Sequence, residues 1–216
     1  MRKLVYIVIF LVGIFTPIVA QNDPKAQEIL DAMSKKYKDI PSFKASFTYT
    51  LDNKNAGVNE TGEGEIVVKG GKFYLKLPQQ EIYNNGTTVW TYMKESNEVN
   101  ISAYEPDDDD INPTKIYTLY KKGYKYILMA EDPSEGGKAV DVIDMEPTDT
   151  KKKNQFYKIR IIINKKDKSI KSWKMFESNG NRYTYTIKTF TQEPVDDNFF
   201  VFDKNKYKGV HVEDLR

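Results

Sequence analysis

The sequence predicts a mainly β protein, built as one domain in the form of either a sandwich or an open barrel, with two covering helices. Three observations predict this fold class: about eleven short runs of alternating residues, an excess of aromatic residues (15 Tyr and 11 Phe), and the absence of any linker. Aromatic side chains suit a pleated, half-buried surface. With 39% hydrophobic and 30% charged residues over 216 positions, the chain can form a core, and a multispan membrane protein or a disordered chain is excluded.

The first residues predict export. Two basic residues precede an apolar run over 4–15, and Pro17 and the small residue Ala20 follow. These are the charged region, apolar region and cleavage site of a secretory signal peptide. An uncleaved anchor helix is the alternative, but the shortness of the run and the proline favour cleavage near Ala20. We therefore predict a signal peptide at 1–20, one mature domain at 21–216, and a periplasmic location.

Charge and residue usage exclude several function classes. Loss of the two basic residues at the start would leave 31 basic and 31 acidic residues, and a neutral chain has no electrostatic attraction to nucleic acid or anionic membrane. The absence of cysteine excludes a disulfide framework, a thiolate metal site and a cysteine nucleophile. With His211 as the one histidine, we expect no metal site and no cofactor.

Two amphipathic helices are predicted. Asp23 is placed to cap the first, Pro24 to start it, and Ile40-Pro41 to end it. Asn112 and Pro113 are placed in the same way before the second, and Gly123 is a plausible stop. Apolar residues at helical spacing form one face of each, namely Ala26, Ile29, Leu30, Met33 and Tyr37 in the first and Ile116, Leu119 and Tyr120 in the second.

The remaining apolar residues alternate with polar ones in short runs. The first run, 43–51, places Phe43, Ala45, Phe47, Tyr49 and Leu51 on one face. Gly70-Gly71, Asn85-Gly86 and Asn179-Gly180 are turn signals between such runs. Further strands are predicted at 63–69, 73–77, 81–83, 88–93, 98–104, 124–131, 139–146, 156–164, 170–177 and 182–190.

No catalytic motif is present. The sequence has no phosphate-binding glycine loop and no GxSxG elbow. The acidic run 107–110 lacks the ligand spacing of a calcium loop, and the lysine clusters at 151–153 and 165–168 are best explained as solvated turns. We therefore predict a protein that is not an enzyme. A barrel of eleven strands is wide enough to leave an apolar hollow for a ligand, whereas a filled sandwich with outer helices would leave none.

Several motifs in order resemble the LolA family of periplasmic outer-membrane lipoprotein carriers. The resemblance extends from about residue 24 to 216, and residues 106–154 match less well. The motifs that carry it are PSFKASFT at 41–48, GEGEIVVK at 62–69, KFYL at 72–75, NGTTVWTY at 85–92, FVF at 200–202 and GVHV at 209–212.

The resemblance implies an unclosed, strongly curved antiparallel β-barrel with helices covering an apolar cavity. That cavity would take lipoprotein acyl chains from an inner-membrane ABC exporter and deliver them toward an outer-membrane acceptor. It also implies a protein without nucleic-acid partners, and we expect a monomer. The implied cavity residues are Phe47, Tyr49, Ile66, Val68, Phe73, Leu75, Val89 and Trp90, and the implied lid residues are Ile29, Leu30, Met33, Ile116, Leu119 and Tyr120.

One departure from the family bears on the lid. Many members carry an Arg-Pro pair after the lysine that matches Lys69, where this chain has Gly70-Gly71. Because that arginine is linked to holding the lid closed, lid control is expected to differ here. Two further interpretations stay open: non-catalytic binding or sensing of another lipid on the same fold, and a hydrolase, which would need polar residues inside the cavity.

Overall fold

Twelve strands join into one continuous sheet in the residues that the computed structural model describes, which are 22–105, 114, 116–149 and 156–216. The strands are β1 Ser42–Asn53, β2 Val58–Lys69, β3 Lys72–Lys76, β4 Gln80–Asn84, β5 Thr88–Met93, β6 Glu98–Ala103, β7 Tyr124–Leu128, β8 Val140–Pro147, β9 Lys158–Asn164, β10 Ile170–Phe176, β11 Arg182–Gln192 and β12 His211–Asp214. Their order across the sheet is β12-β6-β5-β4-β3-β2-β1-β11-β10-β9-β8-β7.

The sheet is unclosed, as predicted, because β12 and β7 form its two edges within the described ranges. Every neighbouring pair is antiparallel except β12 with β6, where His211 lies opposite Glu98 in parallel register. Eleven strands were expected. The twelfth is β12, which lies outside all of the predicted strand ranges. All four of its residues are exposed, so it carries no alternating pattern by which a strand could be recognised.

The first helix, α1, spans Pro24–Lys38 and confirms the prediction. The Asp23 carboxylate accepts hydrogen bonds from the backbone N–H groups of Lys25 at 2.9 Å and Ala26 at 3.3 Å. These bonds satisfy two of the donors that a helix leaves unpaired at its start. Among the described residues, no helix is long and apolar enough to cross a membrane.

The second helix is shorter than predicted. It is a six-residue 3₁₀ helix, Ile116–Lys121, called the 116–121 helix below. Its sequence IYTLYK is rich in β-branched and aromatic residues, which disfavour a long α-helix. The expected cap and start residues, 112 and 113, lie outside the described residues, as do the signal peptide, the acidic run 107–110 and the lysines at 151–153. Further 3₁₀ turns are Pro133–Glu135, Gly137–Ala139, Asp197–Phe200 and Lys204–Lys206.

The two faces of the sheet are covered by different parts of the chain. The inner face is the one covered by α1 and the 116–121 helix. Their apolar side chains pack onto alternate residues of β7 to β10, which form the largest core cluster. The fully enclosed members of this core include Leu30, Met33, Ile143, Met145, Ile159, Ile161 and Ile163.

The outer face is crossed by residues 193–210, called the C-terminal strap below. The strap first meets the start of β1, where Ser42 Oγ donates to the carbonyl of Glu193, and then β2, where Lys69 pairs with Asp197 at 2.8 Å. Farther along, its aromatic residues contact those of the middle strands, in the pairs Tyr74–Phe199, Tyr83–Phe202 and Tyr92–Tyr207. The strap thereby carries the chain to β6, where β12 pairs.

Candidate functional site

A pocket with a wholly apolar lining lies on the inner face, where the two helices meet the sheet. Its volume is about 50 Å³. Residues from α1, four strands and the 116–121 helix come together to form it, which is why the sequence shows it only in part. The lining residues are Tyr37, Phe43, Ala45, Ile66, Ile116, Tyr117, Ile170, Trp173, Ile187 and Phe190.

The strand side of the pocket depends on a bulge in β11. Phe43 and Ala45 are alternate residues of β1 and therefore face the same side. In β11 the register shifts between the partners of Ser46 and Phe47, so Ala45 lies opposite Phe190 and Phe47 lies opposite Ile187. Residues three apart face opposite sides of a regular strand, and the extra residue in the bulge brings both onto the inner face.

Aromatic rings close the helix side of the pocket. The Tyr37 ring of α1 stacks on the Tyr117 ring of the 116–121 helix, with centroids 5.8 Å apart and planes 18° apart. Tyr37 also meets Phe190 edge-on at 5.6 Å and Phe43 at 6.2 Å. Its hydroxyl oxygen accepts a hydrogen bond from the backbone N–H of Ile170 at 2.9 Å. Burial raises the pKa of both tyrosines, so both rings stay neutral at physiological pH.

The pocket is too small for a fatty acyl chain in this conformation. Its volume of about 50 Å³ is a fraction of the ~150 Å³ apolar cavity that accepts one benzene molecule. Interior space of this size is ordinary for a packed core. A chain of many methylene groups can therefore enter only if part of the wall moves.

The helix α1 is fastened at both ends. At its start, the Asp23 carboxylate accepts from the Leu128 N–H at 3.1 Å, and the Asp23 N–H donates to the Tyr126 carbonyl at 3.2 Å. These bonds extend the edge strand β7 and lower the pKa of Asp23. At its end, Lys36 donates to the carbonyl and carboxylate of Asp167 at 2.9 and 3.2 Å. The 116–121 helix has a different attachment, in which the Tyr120 hydroxyl donates to Asp31 of α1.

A second apolar cluster continues the inner face away from the helices. Phe43, Ala45, Val68 and Phe73 are its buried members, and Ile66, Leu75 and Ile82 pack against it while remaining partly exposed. The strands β2, β3 and β4 place these residues in register, with Val68 opposite Phe73 and Ile66 opposite Leu75. The pocket therefore borders a larger apolar surface, with which it shares Phe43, Ala45 and Ile66.

The predicted cavity residues do not all lie in the pocket. Ile66 lines the pocket, and Val68, Phe73 and Leu75 lie in the neighbouring cluster. Phe47 and Tyr49 lie on the inner face, in alternation with Ala45 along β1. Their rings cover Gly64 and Gly62 of β2, where any side chain would collide with them.

The last two predicted cavity residues, Val89 and Trp90, are consecutive in β5 and so face opposite sides. Val89 lies opposite Asn84, which shares the inner face with Phe73. Trp90 lies opposite Tyr83 on the outer face, so it does not belong to the same wall as Val89.

The predicted lid residues lie beneath α1 and the 116–121 helix. Ile29, Leu30 and Met33 are buried in the core under α1, Ile116 lines the pocket, and Leu119 and Tyr120 pack beside it. The prediction omitted Tyr37 and Tyr117, which close the pocket, and the wall residues from β10 and β11. Tyr37 was part of the helical stripe, so its position was accessible from the sequence, whereas the wall residues depend on the long-range pairing of β1 with β11.

The lining of the pocket is made of aliphatic and aromatic side chains. It holds no carboxylate, amine or imidazole, and burial raises the pKa of its two tyrosines. In the described ranges, no group of three or more His, Cys, Asp or Glu side chains is placed to hold a metal ion. The arrangement can enclose an apolar ligand.

Comparisons with known proteins concern the family of the chain and its overall fold. The family model described as outer membrane lipoprotein carrier protein LolA matches residues 38–203. The chain is 24% identical over 238 aligned positions to an outer-membrane lipoprotein carrier protein of Yersinia pestis, with all of both chains covered. Its fold is similar to that of a conserved protein from Thermus thermophilus, with a TM-score of 0.55, 14% identity, and 88% and 99% of the two chains covered. The family match spans most of the sequence, and the chain belongs to the LolA family of outer-membrane lipoprotein carriers.

Proposed function

We propose that this protein ferries lipoproteins across the periplasm by enclosing their acyl chains between the inner face of the sheet and its helical cover. The observation that carries the proposal is the wholly apolar pocket closed by side-chain rings. In this proposal an inner-membrane ABC exporter supplies the lipoprotein and an outer-membrane acceptor receives it. The signal peptide at 1–20 would place the chain in the periplasm.

The energetics of carriage favour a pocket that opens and closes. Each methylene group moved out of water gains about 0.8 kcal/mol, whether it enters a bilayer or a protein cavity. A carrier therefore needs to compete with the membrane and then to release its cargo. Release requires two conformations with different affinity for the acyl chains. A closed form with almost no free volume, such as the one described here, is suited to be the releasing state.

The 116–121 helix is the part of the cover whose movement would open the pocket. The helix α1 is tied at both ends to strands and turns of the sheet, whereas the 116–121 helix meets α1 through the Tyr37–Tyr117 stack and the Tyr120–Asp31 hydrogen bond. The same helix also contacts β7, where the Tyr120 ring meets the Tyr126 ring edge-on at 6.0 Å. Separation of these contacts would join the pocket to the partly exposed cluster around Ile66 and Leu75.

Site-specific photocrosslinking tests the proposal. A benzoylphenylalanine at Ile187, on the pocket wall, is expected to crosslink to triacylated lipoprotein released from inner-membrane vesicles that contain the exporter. The same group at Thr186, the next residue of β11 and on the outer face, is the matched control. Crosslinking that is equal at both positions, or absent at Ile187 while lipoprotein is still released, would contradict the proposal.

A charge in the pocket provides a second test. Ile187→Glu is expected to abolish lipoprotein release, because a carboxylate would lose its hydration against an apolar wall. Lys188→Glu, at the exposed neighbouring position, is expected to release lipoprotein normally. Circular dichroism and a urea midpoint check that both variants fold. Normal release by a folded Ile187→Glu protein would place the acyl chains elsewhere.

Binding of another acylated lipid is the second candidate. It is favoured by one observation: the described pocket has no polar group that would recognise the protein part of a lipoprotein. Mass spectrometry of lipids extracted from the protein purified from its own periplasm separates the two. Lipoprotein-derived acyl peptides support the carrier function, whereas free fatty acid or glycolipid alone supports the second candidate.

A further inference from the structure

A second pocket lies on the outer face, where the C-terminal strap crosses β3 and β4. Its volume is about 480 Å³, and it is open to solvent on one side. Tyr74 and Tyr83 alternate along their strands with inner-face residues such as Phe73 and Ile82, so this pocket is separated from the apolar pocket by the thickness of the sheet. Its lining residues are Tyr74, Tyr83, Asn198, Phe199, Val201, Phe202, Asp203 and Lys206.

Four aromatic rings form the walls of this outer pocket. Tyr74 and Tyr83 are cross-strand neighbours with centroids 4.7 Å apart. Phe199 stands at 87° to Tyr74 and 5.4 Å from it, and Phe202 stands at 77° to Tyr83 and 5.7 Å from it. Rings held in different orientations around one pocket present both edges and π faces to it. An ammonium cation that enters such a pocket can be attracted by the exposed π faces.

The Phe199 side chain is much more exposed than that of its neighbour Phe200. The ring of Phe199 is 45% exposed and Val201 is 40% exposed, although Phe200 between them is fully buried. The strap is thus anchored by Phe200, and the exposed ring adds little to the core. An exposed phenylalanine at the mouth of a pocket is available to contact a ligand.

Negative charge lies behind the aromatic walls. Glu81 Oε2 accepts hydrogen bonds from the hydroxyls of Tyr207 at 2.7 Å and of Tyr74 and Tyr83 at 3.2 Å each. Burial acts to raise the pKa of Glu81, but the hydrogen bonds from the tyrosines and the charge of Lys94 outweigh it and lower the pKa. Glu81 is therefore ionised at neutral pH. Phenols that donate to a carboxylate gain electron density, which strengthens the attraction of their rings for cations.

We propose that the outer pocket binds a quaternary ammonium group, such as the choline of a soluble choline ester or of a lipid headgroup. A primary ammonium would need hydrogen-bond acceptors to replace its water. Behind the rings, Glu81 Oε2 already accepts three hydrogen bonds and has little capacity for a further donor. A quaternary ammonium needs no acceptor and gains from ring contact alone. Asp203 at the rim adds to its attraction, and Lys206 opposes it.

Titration with choline and its neutral isostere, 3,3-dimethylbutan-1-ol, tests this proposal. Both probes have the same shape, so only the positive charge distinguishes their binding. Choline is expected to shift the aromatic NMR signals of the full mature protein and to bind at least about tenfold more tightly than the alcohol. Equal binding of the two probes would show a merely apolar pocket, and no binding of choline would show no ligand site. Either result overturns the proposal.

Variants locate the binding in the outer pocket. Phe199→Ala is expected to weaken choline binding at least about fivefold, whereas Tyr157→Ala, which removes a ring 47% exposed at a distant position, leaves it unchanged. Lys206→Gln is expected to tighten binding because it removes an opposing charge. Weakening by the distant variant, or no change with Phe199→Ala, would contradict the assignment. A urea midpoint confirms that each variant is folded.

The source of the cation is distinguished by sedimentation with vesicles. Binding to phosphatidylcholine vesicles but not to phosphatidylglycerol vesicles indicates a lipid headgroup. Binding of free choline without sedimentation indicates a soluble ligand. Both results support the ammonium site, and sedimentation with phosphatidylglycerol vesicles alone would contradict it. Because this pocket lies on the opposite face from the apolar one, failure of these tests leaves the carrier function unaffected.

Discussion

The two halves of the sheet differ in what covers them: the helices cover the inner face of one half, and the C-terminal strap covers the outer face of the other. In the half formed by β7 to β10, the helices cover the inner face, and Ile159, Ile161 and Ile163 are almost completely buried. In the half formed by β2 to β5, the inner-face residues Leu75 and Ile82 remain partly exposed. Here the C-terminal strap covers the outer face. We call these the helix-covered half and the strap-covered half.

This difference allows the sheet to keep an apolar surface available without unfolding. A strand pair with one solvated apolar face and nothing on the other would be marginal. The strap supplies a core on the outer face, so the inner face of the same strands can remain partly free. Between the halves, β1 and β11 form most of the strand wall of the apolar pocket, and Tyr37 and Tyr117 line its helix side.

The largest expected effect tests whether the strap stabilises its half. Phe200→Ala is expected to lower the free energy of unfolding by about 3–5 kcal/mol, because it removes a fully buried ring. Phe199→Ala, at the partly exposed neighbouring position, is expected to lower it by only about 0.5–1.5 kcal/mol, because it removes the edge-on contact with Tyr74. Urea denaturation measures both. A small loss for Phe200→Ala would mean that the strap is not a core element.

The next effect compares the inner faces of the two halves directly. Ile161→Ala should cost about 2–5 kcal/mol, since its side chain is 1% exposed in the helix-covered half. Leu75→Ala in the strap-covered half should cost only about 1 kcal/mol, because the leucine is already partly in water. Both free energies come from urea denaturation monitored by tryptophan fluorescence. Equal costs would remove the distinction between a packed and a free inner face.

A smaller effect concerns the place where aromatic rings cover glycines. Gly64→Ala is expected to cost about 1–3 kcal/mol, because the added methyl group would collide with the Phe47 ring and force it to move. Gly71→Ala is the matched control, since nothing lies within 4 Å of its added methyl group. Thermal denaturation compares the two. Equal melting temperatures for the two variants would show that the position of the Phe47 ring does not require glycine at 64.

The smallest effect is a pH dependence at the strap. Hydrogen bonds from Lys69 and Lys72 lower the pKa of Asp197 from 3.8 to about 2. Because the folded-state pKa is the lower one, the stabilisation is fully present above 3.8 and is lost as the pH falls toward about 2. The urea-midpoint difference between wild type and Asp197→Asn is expected to shrink over this window. A difference that stays constant there would show that the ion pairs do not hold the strap.

Local sequence patterns were sufficient for much of the fold. The alternation in 43–51 predicted β1, and the Asp23-Pro24 start and apolar stripe predicted α1. Turn glycines marked the β2–β3, β4–β5 and β10–β11 hairpins. The motif order also predicted the family. These features depend on neighbouring residues, and hydrophobic period and capping chemistry are encoded at that range.

The features that define the site needed the three-dimensional structure. The bulge that turns Ile187 and Phe190 to one side arises from the pairing of β1 with β11, more than 140 positions away along the chain for some pairs. Trp90 and Val89 separate because a shift of one residue changes the face. The strap has no regular hydrophobic period and β12 is wholly exposed, so their positions follow only from contacts with distant strands. Period and capping are local properties of a chain, whereas register, face and free volume depend on which distant segments meet.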